Sequence, residues 1–157
     1  MLFVLSEGGA QHAIRIKAEE NEIPQGVVGA FRKHFESAPD ATWAIISSSS
    51  FENDFGISGT DTGEKSTYYD ATFTSSGERN EVVYDHFGHC VGVKKPVTTA
   101  ALPSPVLKTV NARGTVVSAE QVAEGLVAPS RYLVVVKNGS AEQTITVRAT
   151  GELMKTN

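Results

Sequence analysis

The stretch YLVVVKNGSAEQTITVRA, residues 132–149, carries the clearest structural signal in the chain. Two runs rich in β-branched residues flank the pair Asn138-Gly139. β-Branched side chains favour strands, and an Asn-Gly pair readily adopts the positive φ angles of a tight turn. In the second run threonines alternate with isoleucine and valine, so one face of that strand is polar. These residues predict a β-hairpin.

Similar short runs of strand-forming residues, separated by turn residues, occur along most of the chain. They fall at residues 2–5, 12–17, 42–46, 66–74, 81–84, 87–93, 106–110 and 115–117. Together with the hairpin they predict about nine short strands. The interval 47–65 is mostly polar and predicts a long loop.

Residues 24–38 hold the best helical pattern. Pro24 suits the start of a helix, and Pro39 ends the pattern. An apolar stripe at helical spacing is formed by Val27, Val28, Phe31 and Phe35. The sequence therefore predicts one main helix over about residues 25–38. A capping-box pattern at 118–121 predicts a second, short helix that ends near Gly125.

The pattern of elements predicts a fold class. Many short strands with one real helix are typical of a β-rich α+β protein, built as an antiparallel sandwich or a partly open barrel. We expect residues 1–95 to form a β-rich core with the helix, and residues 106–157 to form a hairpin-containing part of the same domain. Between them, residues 96–105 hold three prolines and predict an extended segment, a linker or an exchanged arm. No internal repeat is evident.

Composition and charge exclude several classes of protein. The 157 residues are 40% hydrophobic and 20% charged, which is typical of a globular chain. Fourteen Lys and Arg against 18 Asp and Glu give a net charge of -4, which argues against a general binder of nucleic acid or of anionic membranes. A single cysteine excludes an internal disulfide. The first residues lack the pattern of a secretory signal, so we expect a cytoplasmic site of synthesis and residence.

Three motifs in the polar interval resemble catalytic signatures without their context. The triplet at residues 54–56 matches a kinase metal-binding motif, but the other kinase motifs are missing. The triplet that begins at Asp61 matches an aspartic protease, but no apolar strand precedes it. Residues 59–66 approach a phosphate-binding loop, but Glu64 replaces a glycine and a strand follows where a helix is needed. We interpret all three as polar turn sequence.

Residues 85–90 gather side chains of the kind that bind metals, including His86, His89 and Cys90. Gly88 and the neighbouring valines favour a strand. On a strand His86 and Cys90 share a face but lie about 13 Å apart, and His89 points to the other face. We therefore predict no metal ion and no cofactor.

Two further groups leave alternatives open. Cys90 is expected to be a small buried hydrophobic residue, but with a nearby histidine it would form a nucleophile pair, so a small hydrolase using Cys90 or Asp61 remains an alternative. Aromatic side chains on the strands, which are expected in the core, would otherwise form a platform for a carbohydrate- or peptide-binding β-module. These are Trp43, Tyr68, Tyr69 and Tyr84.

The Ser- and Thr-rich strands, the 96–105 segment and the 131–149 hairpin together resemble the small β-rich accessory proteins of tailed-phage particles. The resemblance implies a non-enzymatic structural protein of the virion, with capsid decoration or cement favoured over neck or tail. Its partners would be copies of itself and other structural proteins, with no nucleic acid and no membrane. The candidate interface residues are Leu2, Phe3, Val4, Pro96, Leu102, Pro103 and Pro105.

Overall fold

The computed structural model describes residues 3–7, 12–38, 40–57 and 67–156. The chain divides into two compact units, residues 1–93 and 94–157. The fold is α+β and β-rich, with antiparallel strands and one principal helix in the first unit, which confirms the predicted fold class.

The first unit is an antiparallel meander with helices on both faces. Its strands are β1 (Phe3–Glu7), β2 (His12–Ala18), β3 (Thr42–Ser47), β4 (Thr67–Ser75) and β5 (Glu78–Tyr84). Each strand pairs with the next in sequence. Helix α1 (Gln25–His34) connects β2 to β3, and α2 (Ser48–Phe55) follows β3. Strand β6 (Cys90–Val97) then carries the chain into the second unit.

Helix α1 packs its apolar stripe on one face of this sheet. Val27 and Phe31 are fully buried, and the Phe31 ring meets Trp43 of β3 and Phe73 of β4 edge-on at centroid distances of 5.4 Å. Burying each of these large side chains contributes about 1.5–3 kcal/mol. The helix ends at His34 rather than at the predicted residue 38, because Phe35 leaves the helical conformation at φ -130° and ψ 60°.

Helix α2 covers the opposite face of the sheet, in the interval where a polar loop was predicted. The Ser47 hydroxyl accepts a hydrogen bond from the backbone N–H of Ser50 and caps the helix. Phe51 and Phe55 are fully buried, and the Phe51 ring lies 5.2 Å from that of Tyr68. Two phenylalanines at i and i+4 therefore fix a helix whose serines gave no helical signal.

The described residues of the second unit, 94–156, comprise the end of β6, one α-helix and four further antiparallel strands. Helix α3 (Ser104–Asn111) precedes β7 (Thr115–Ala123), β8 (Arg131–Asn138), β9 (Ala141–Arg148) and β10 (Leu153–Thr156). The strands pair in sequence order, and the predicted hairpin is β8–β9 with Asn138 opposite Ala141. The core lies between α3 and the sheet and includes Val106, Val110, Val134, Ile145 and Val147.

Two expectations about this unit were wrong. Residues 106–110 are helical, although their valines predicted a strand, because Val106 and Val110 lie one helical turn apart and are both fully buried. Residues 118–123 belong to strand β7, although a capping box predicted a helix, because β7 pairs with β8 along most of its length. The 96–105 segment comprises the end of β6, a 3₁₀ turn at Thr99–Ala101 and the start of α3.

The two units repeat one plan, which corrects the expectation that the chain has no internal repeat. In each, a 3₁₀ turn, a buried aliphatic residue and a proline lead into the first helix, which is followed by a strand meander. Ile23-Pro24 and Leu102-Pro103 are equivalent, and both aliphatic side chains are 5% exposed or less. The two units repeat the order of their elements and the positions of their buried residues, but few residues are identical between them.

Candidate binding site

The loop between β5 and β6, residues 85–89, is a tightly closed turn. The backbone N–H of Asp85 donates to the carbonyl of His89 at 2.9 Å, and the N–H of Gly88 donates to the carbonyl of Asp85 at 3.1 Å. The carboxylate of Asp85 closes the turn further, because its Oδ1 accepts from the N–H groups of Phe87 and His89, both at 2.9 Å. Five residues thus share four hydrogen bonds, which fixes the loop conformation.

Gly88 seats this loop against the start of helix α1. Its φ angle is +84°, in the left-handed region that glycine tolerates best. A β-carbon at this position would lie 2.9 Å from the carbonyl oxygen of Gly26. The turn therefore needs glycine for two separate reasons, its backbone angle and its close contact with α1.

Phe87 lies at the tip of the loop and is 78% exposed, the largest value among the large hydrophobic residues that the structure describes. Its ring lies 5.2 Å from the His86 ring and 6.2 Å from the His89 ring. His89 in turn places Nδ1 3.1 Å from the Asp85 carboxylate. A rigid turn thus displays one phenyl group between two imidazoles, outside the core.

The second unit contains a copy of this turn at residues 148–152, between β9 and β10. The N–H of Arg148 donates to the carbonyl of Glu152, and the N–H of Gly151 donates to that of Arg148, both at 2.8 Å. Gly151 has φ +93°, and a β-carbon there would lie 2.7 Å from the carbonyl oxygen of Pro105 in α3. Thr150 occupies the position equivalent to Phe87. The closed turn therefore forms without an aromatic side chain at its tip.

A cluster of charged side chains lies on the α2 face of the first unit. Asp70 is completely buried and Glu81 is 4% exposed. Arg15 reaches the Asp70 carboxylate at 3.2 Å, that of Glu81 at 3.7 Å and that of Asp54 at 3.8 Å. Burial, together with a hydrogen bond to Glu81, raises the pKa of Asp70 well above its ordinary value.

The chemistry of the cluster is that of a satisfied structural network. The second Asp70 oxygen accepts from the Thr72 hydroxyl at 3.2 Å, so both oxygens of that carboxyl group have protein partners. Arg15, the positive member, is only about one-third exposed. Among the described residues no group of three or more metal-binding side chains converges. The arrangement stabilises a buried carboxyl group rather than presenting it to a substrate.

Cys90 does not have the properties of a nucleophile. Burial raises the pKa of its thiol to about 11, so very little thiolate exists at neutral pH. Its sulfur is 3.8 Å from the carbonyl oxygen of Gly92. Asp61, the other candidate for a hydrolase, lies outside the described residues.

A shallow cleft of about 320 Å³ lies at the C-terminal end of α1. Lys33 and His34 line it, together with the backbone turn that follows the helix. Basic side chains at this end of a helix interact favourably with its dipole, which gives them a structural role. The His34 ring also stacks on Tyr84, with Nδ1 3.1 Å from the tyrosine hydroxyl.

The strand aromatics do not form an exposed platform. Trp43, Tyr68, Tyr69 and Tyr84 are all 9% exposed or less. Among the side chains that the structure describes, the large aromatic one that is exposed is Phe87, which sequence reasoning assigned to a strand. The Asp-x-x-Gly spacing of residues 85–88 was the available signal for a closed turn, because aspartate commonly caps such turns and glycine permits positive φ.

The candidate interface residues lie in different environments, some buried and some exposed. Leu2 lies outside the described residues, and the backbone of Phe3 and Val4 belongs to strand β1. Leu102 is 4% exposed and packs in the core of the second unit, so it has a structural role there. Pro96 and Pro103 are half-buried and Pro105 is exposed.

Among the described residues, no helix is both long and apolar enough to cross a membrane.

Comparison with known proteins gives likenesses of fold alone. No protein-family model matches the sequence, and neither does any curated protein. A candidate periplasmic protein of Bacteroides eggerthii shares the fold with a TM-score of 0.63 and 18% identity, over 86% of this chain and 88% of that one. A DUF2874 family protein of Bacteroides ovatus gives 0.61 and 19%, over 86% of each chain. A BLIP-like protein of Bacteroides fragilis gives 0.57 and 16%, over 86% of this chain and 85% of that one.

These likenesses overturn the prediction of a structural component of a phage particle, whether capsid decoration, neck or tail. Solved structures that share the fold include proteins of four Bacteroides species, and one of these is a candidate periplasmic protein. The predicted location, virion or otherwise cytoplasm, is wrong for the same reason. Abundant serine and threonine on strands, on which the resemblance to phage proteins rested, describe an exposed β-sheet in any context.

Proposed function

We propose that this protein is a non-enzymatic binding domain that docks onto another protein through Phe87 on the β5–β6 loop. The observation that carries the proposal is the difference between the two copies of one turn. The backbone is the same in both, yet the tip is Thr150 in one and a 78% exposed Phe87 in the other. An exposed phenyl group gives no stability to the fold, so we attribute it to binding.

The loop has the physical properties of a binding anchor. Aromatic residues dominate the energy of many protein interfaces, because burying one ring removes a large apolar area from water. The Asp85 carboxylate and the glycine contact with α1 hold the loop in one conformation before any partner arrives. A preordered loop loses little conformational entropy on binding, so more of the burial energy appears as affinity.

The non-enzymatic part of the proposal is supported by the state of the reactive side chains. The Cys90 thiol stays protonated at neutral pH, and the carboxyl group of Asp70 is fully buried with protein partners on both oxygens. The likeness to a candidate periplasmic protein supports a partner in the bacterial cell envelope.

The experiment has two stages. A photoreactive phenylalanine analogue replaces Phe87 in the full chain, and the protein to which it cross-links in the bacterial envelope is identified and purified. Affinity for that protein is then measured with Phe87→Thr, which copies the second unit's turn, and with Thr150→Ala as the matched control. The Phe87 ring would be buried in the complex, and its removal should cost roughly 2 kcal/mol of apolar burial. We therefore expect Phe87→Thr to weaken binding about 30-fold.

The control at Thr150 is expected to leave affinity within twofold of the wild type. Equal affinity of the Phe87→Thr variant and the wild type would refute the proposal. Detection of a catalysed reaction that depends on Cys90 would refute its non-enzymatic part.

A further inference from the structure

We propose that Asn138 is a site of spontaneous covalent modification, at which the backbone nitrogen of Gly139 displaces the side-chain amide and converts Asn138 to aspartate or isoaspartate. Asn138 ends strand β8 and stands opposite Ala141, the first residue of β9, so Gly139 and Ser140 alone form the turn. Asn138 and both turn residues are exposed. The inference concerns the second unit and does not require Phe87 to bind.

The reaction is an intramolecular acyl transfer followed by hydrolysis, and solvent water is its only co-reactant. The Gly139 nitrogen bonds to Cγ of Asn138 and closes a succinimide ring, while the bond from Cγ to the amide nitrogen breaks. The proton lost by Gly139 leaves with that nitrogen as ammonia. Water then opens the ring at Cγ, which gives aspartate, or at the main-chain carbonyl, which gives isoaspartate. Either product carries one new carboxylate, which is ionised at neutral pH.

The turn leaves the attacking nitrogen unshielded. In a two-residue hairpin turn the N–H of the first turn residue lies outside the hydrogen-bond ladder, and among the described residues no backbone carbonyl accepts from that of Gly139. A β-carbon at Gly139 would meet no heavy atom within 4 Å, so the space around the turn is open. Glycine also allows the backbone rotations that bring its nitrogen to Cγ, and exposed loop tips open readily.

The other asparagines that the structure describes lack this combination of features. Asn53 and Asn111 lie in helices α2 and α3, and Asn21 lies in the 3₁₀ turn at Glu20–Glu22. Asn80 lies within β5, and its amide donates to the carbonyl of Glu78 at 3.1 Å. Each is followed by a residue with a side chain, which crowds the attacking nitrogen. Asn138 should therefore react first.

The packing beside the turn gives the modification a structural consequence. A β-carbon at Gly114 would lie 2.6 Å from the carbonyl oxygen of Lys137 and 3.5 Å from the nitrogen of Asn138, so the β8 backbone runs close against Gly114 at this point. Isoaspartate adds one atom to the main chain, and Gly114 leaves no room to shift it. We therefore expect isoaspartate to loosen the end of the β8–β9 hairpin, whereas aspartate keeps the backbone unchanged.

The test incubates the folded full chain in mildly alkaline buffer and measures conversion of amide to acid by mass spectrometry of proteolytic peptides that contain Asn138 or Asn80. Methylation by a protein isoaspartyl methyltransferase identifies the isoaspartate product. Gly139→Ala is compared with Gly77→Ala, a matched control with a positive-φ glycine in the β4–β5 turn of the first unit. Asn138→Asp supplies the new charge on a normal backbone.

We expect Asn138 to convert faster than Asn80, and Gly139→Ala to slow its conversion about tenfold. Gly77→Ala should leave the rate at Asn138 unchanged, and the isoaspartate product should melt at a lower temperature than Asn138→Asp. Equal rates at Asn138 and Asn80, an unchanged rate in Gly139→Ala, or conversion only in urea would overturn the inference. Because Phe87 is intact in these variants, their result is independent of the test at position 87.

Discussion

The turns at residues 85–89 and 148–152 are two copies of one backbone with different side chains. Both close with the same pair of backbone hydrogen bonds, and both press a positive-φ glycine against a carbonyl near the start of a helix, α1 in the first unit and α3 in the second. At the tip, however, one has Phe87 and the other Thr150. The comparison separates what the fold requires, the glycine and the closed backbone, from what it leaves free, the side chain at the tip.

The largest effect is expected from Gly88→Ala and Gly151→Ala. Each adds a β-carbon within 3.0 Å of a helix carbonyl oxygen and places alanine at a positive φ. Left-handed strain and the forced backbone shift should together cost about 2–4 kcal/mol in each variant. Urea denaturation measures the loss. Similar losses for the two variants would support the equivalence of the turns.

The matched controls are Gly77→Ala and Gly139→Ala, one in each unit. Both positions have positive φ, but neither β-carbon would meet a heavy atom within 4 Å. They should cost only the backbone strain, about 1–2 kcal/mol. If the controls are as destabilised as the variants at Gly88 and Gly151, the packing of the turns on their helices is not what makes glycine necessary.

A smaller effect is expected from the side chains that close each turn. Asp85→Ala removes the acceptor of two backbone N–H groups and of His89, and should destabilise the protein by about 1–2 kcal/mol. Glu152→Ala breaks an ion pair with Arg148, and the Glu152 side chain is 68% exposed and that of Arg148 48%. Because solvent screens such an exposed pair, the loss of stability should stay below about 0.5 kcal/mol. Equal losses in thermal melts would contradict this difference between the copies.

The buried acid of the first unit predicts a dependence on pH. Because the pKa of Asp70 is raised in the folded protein, the folded state holds a proton that the unfolded state releases. The contribution of protonated Asp70 to the free energy of unfolding is complete below the ordinary pKa of 3.8. It is lost as the pH rises through the pKa of Asp70 in the folded protein. Asp70→Asn should flatten this decline in a series of denaturation curves from pH 3 to 8. An unchanged slope would count against the raised pKa.

The smallest effect on stability is expected from Phe87→Thr. A side chain that is 78% exposed contributes little to the core, so the free energy of unfolding should change by less than about 0.5 kcal/mol. Calorimetric melts of the wild type and the variant provide the measurement. A loss above 1 kcal/mol would mean that the phenyl ring supports the fold, which would remove the basis for its proposed role in binding.

Sequence reasoning predicted the fold class and the main helix, because periodicity and turn residues are local signals. The β8–β9 hairpin was visible in its Asn138-Gly139 turn, and α1 in its apolar stripe. Helix α3 was missed, since eight residues with valines at 106 and 110 fit a buried strand as well as a helix. Only the core contacts of the second unit decide between the two.

The candidate sites were harder to predict because they depend on pairing across strands. The charged cluster forms only when the register of β4 against β5 places Thr72 opposite Glu81, so that Asp70 and Glu81 lie on one face. No spacing along the chain encodes that register. The repeat could not be seen in the sequence for a related reason. Ile23-Pro24 and Leu102-Pro103 both place a buried aliphatic residue before a helix, but the sequences of the two helices that follow are almost entirely different.

Cys90 makes unfolding of the first unit observable by itself. It is the only thiol of the chain, and with a pKa of about 11 it should react slowly with an aromatic disulfide reagent while the protein is folded. Exposure restores the ordinary reactivity of cysteine, so the labelling rate counts opening events at the start of β6. The second unit has no cysteine, so it gives no signal in this assay. The labelling rate of Cys90 therefore reports opening of the first unit alone, without any engineered probe.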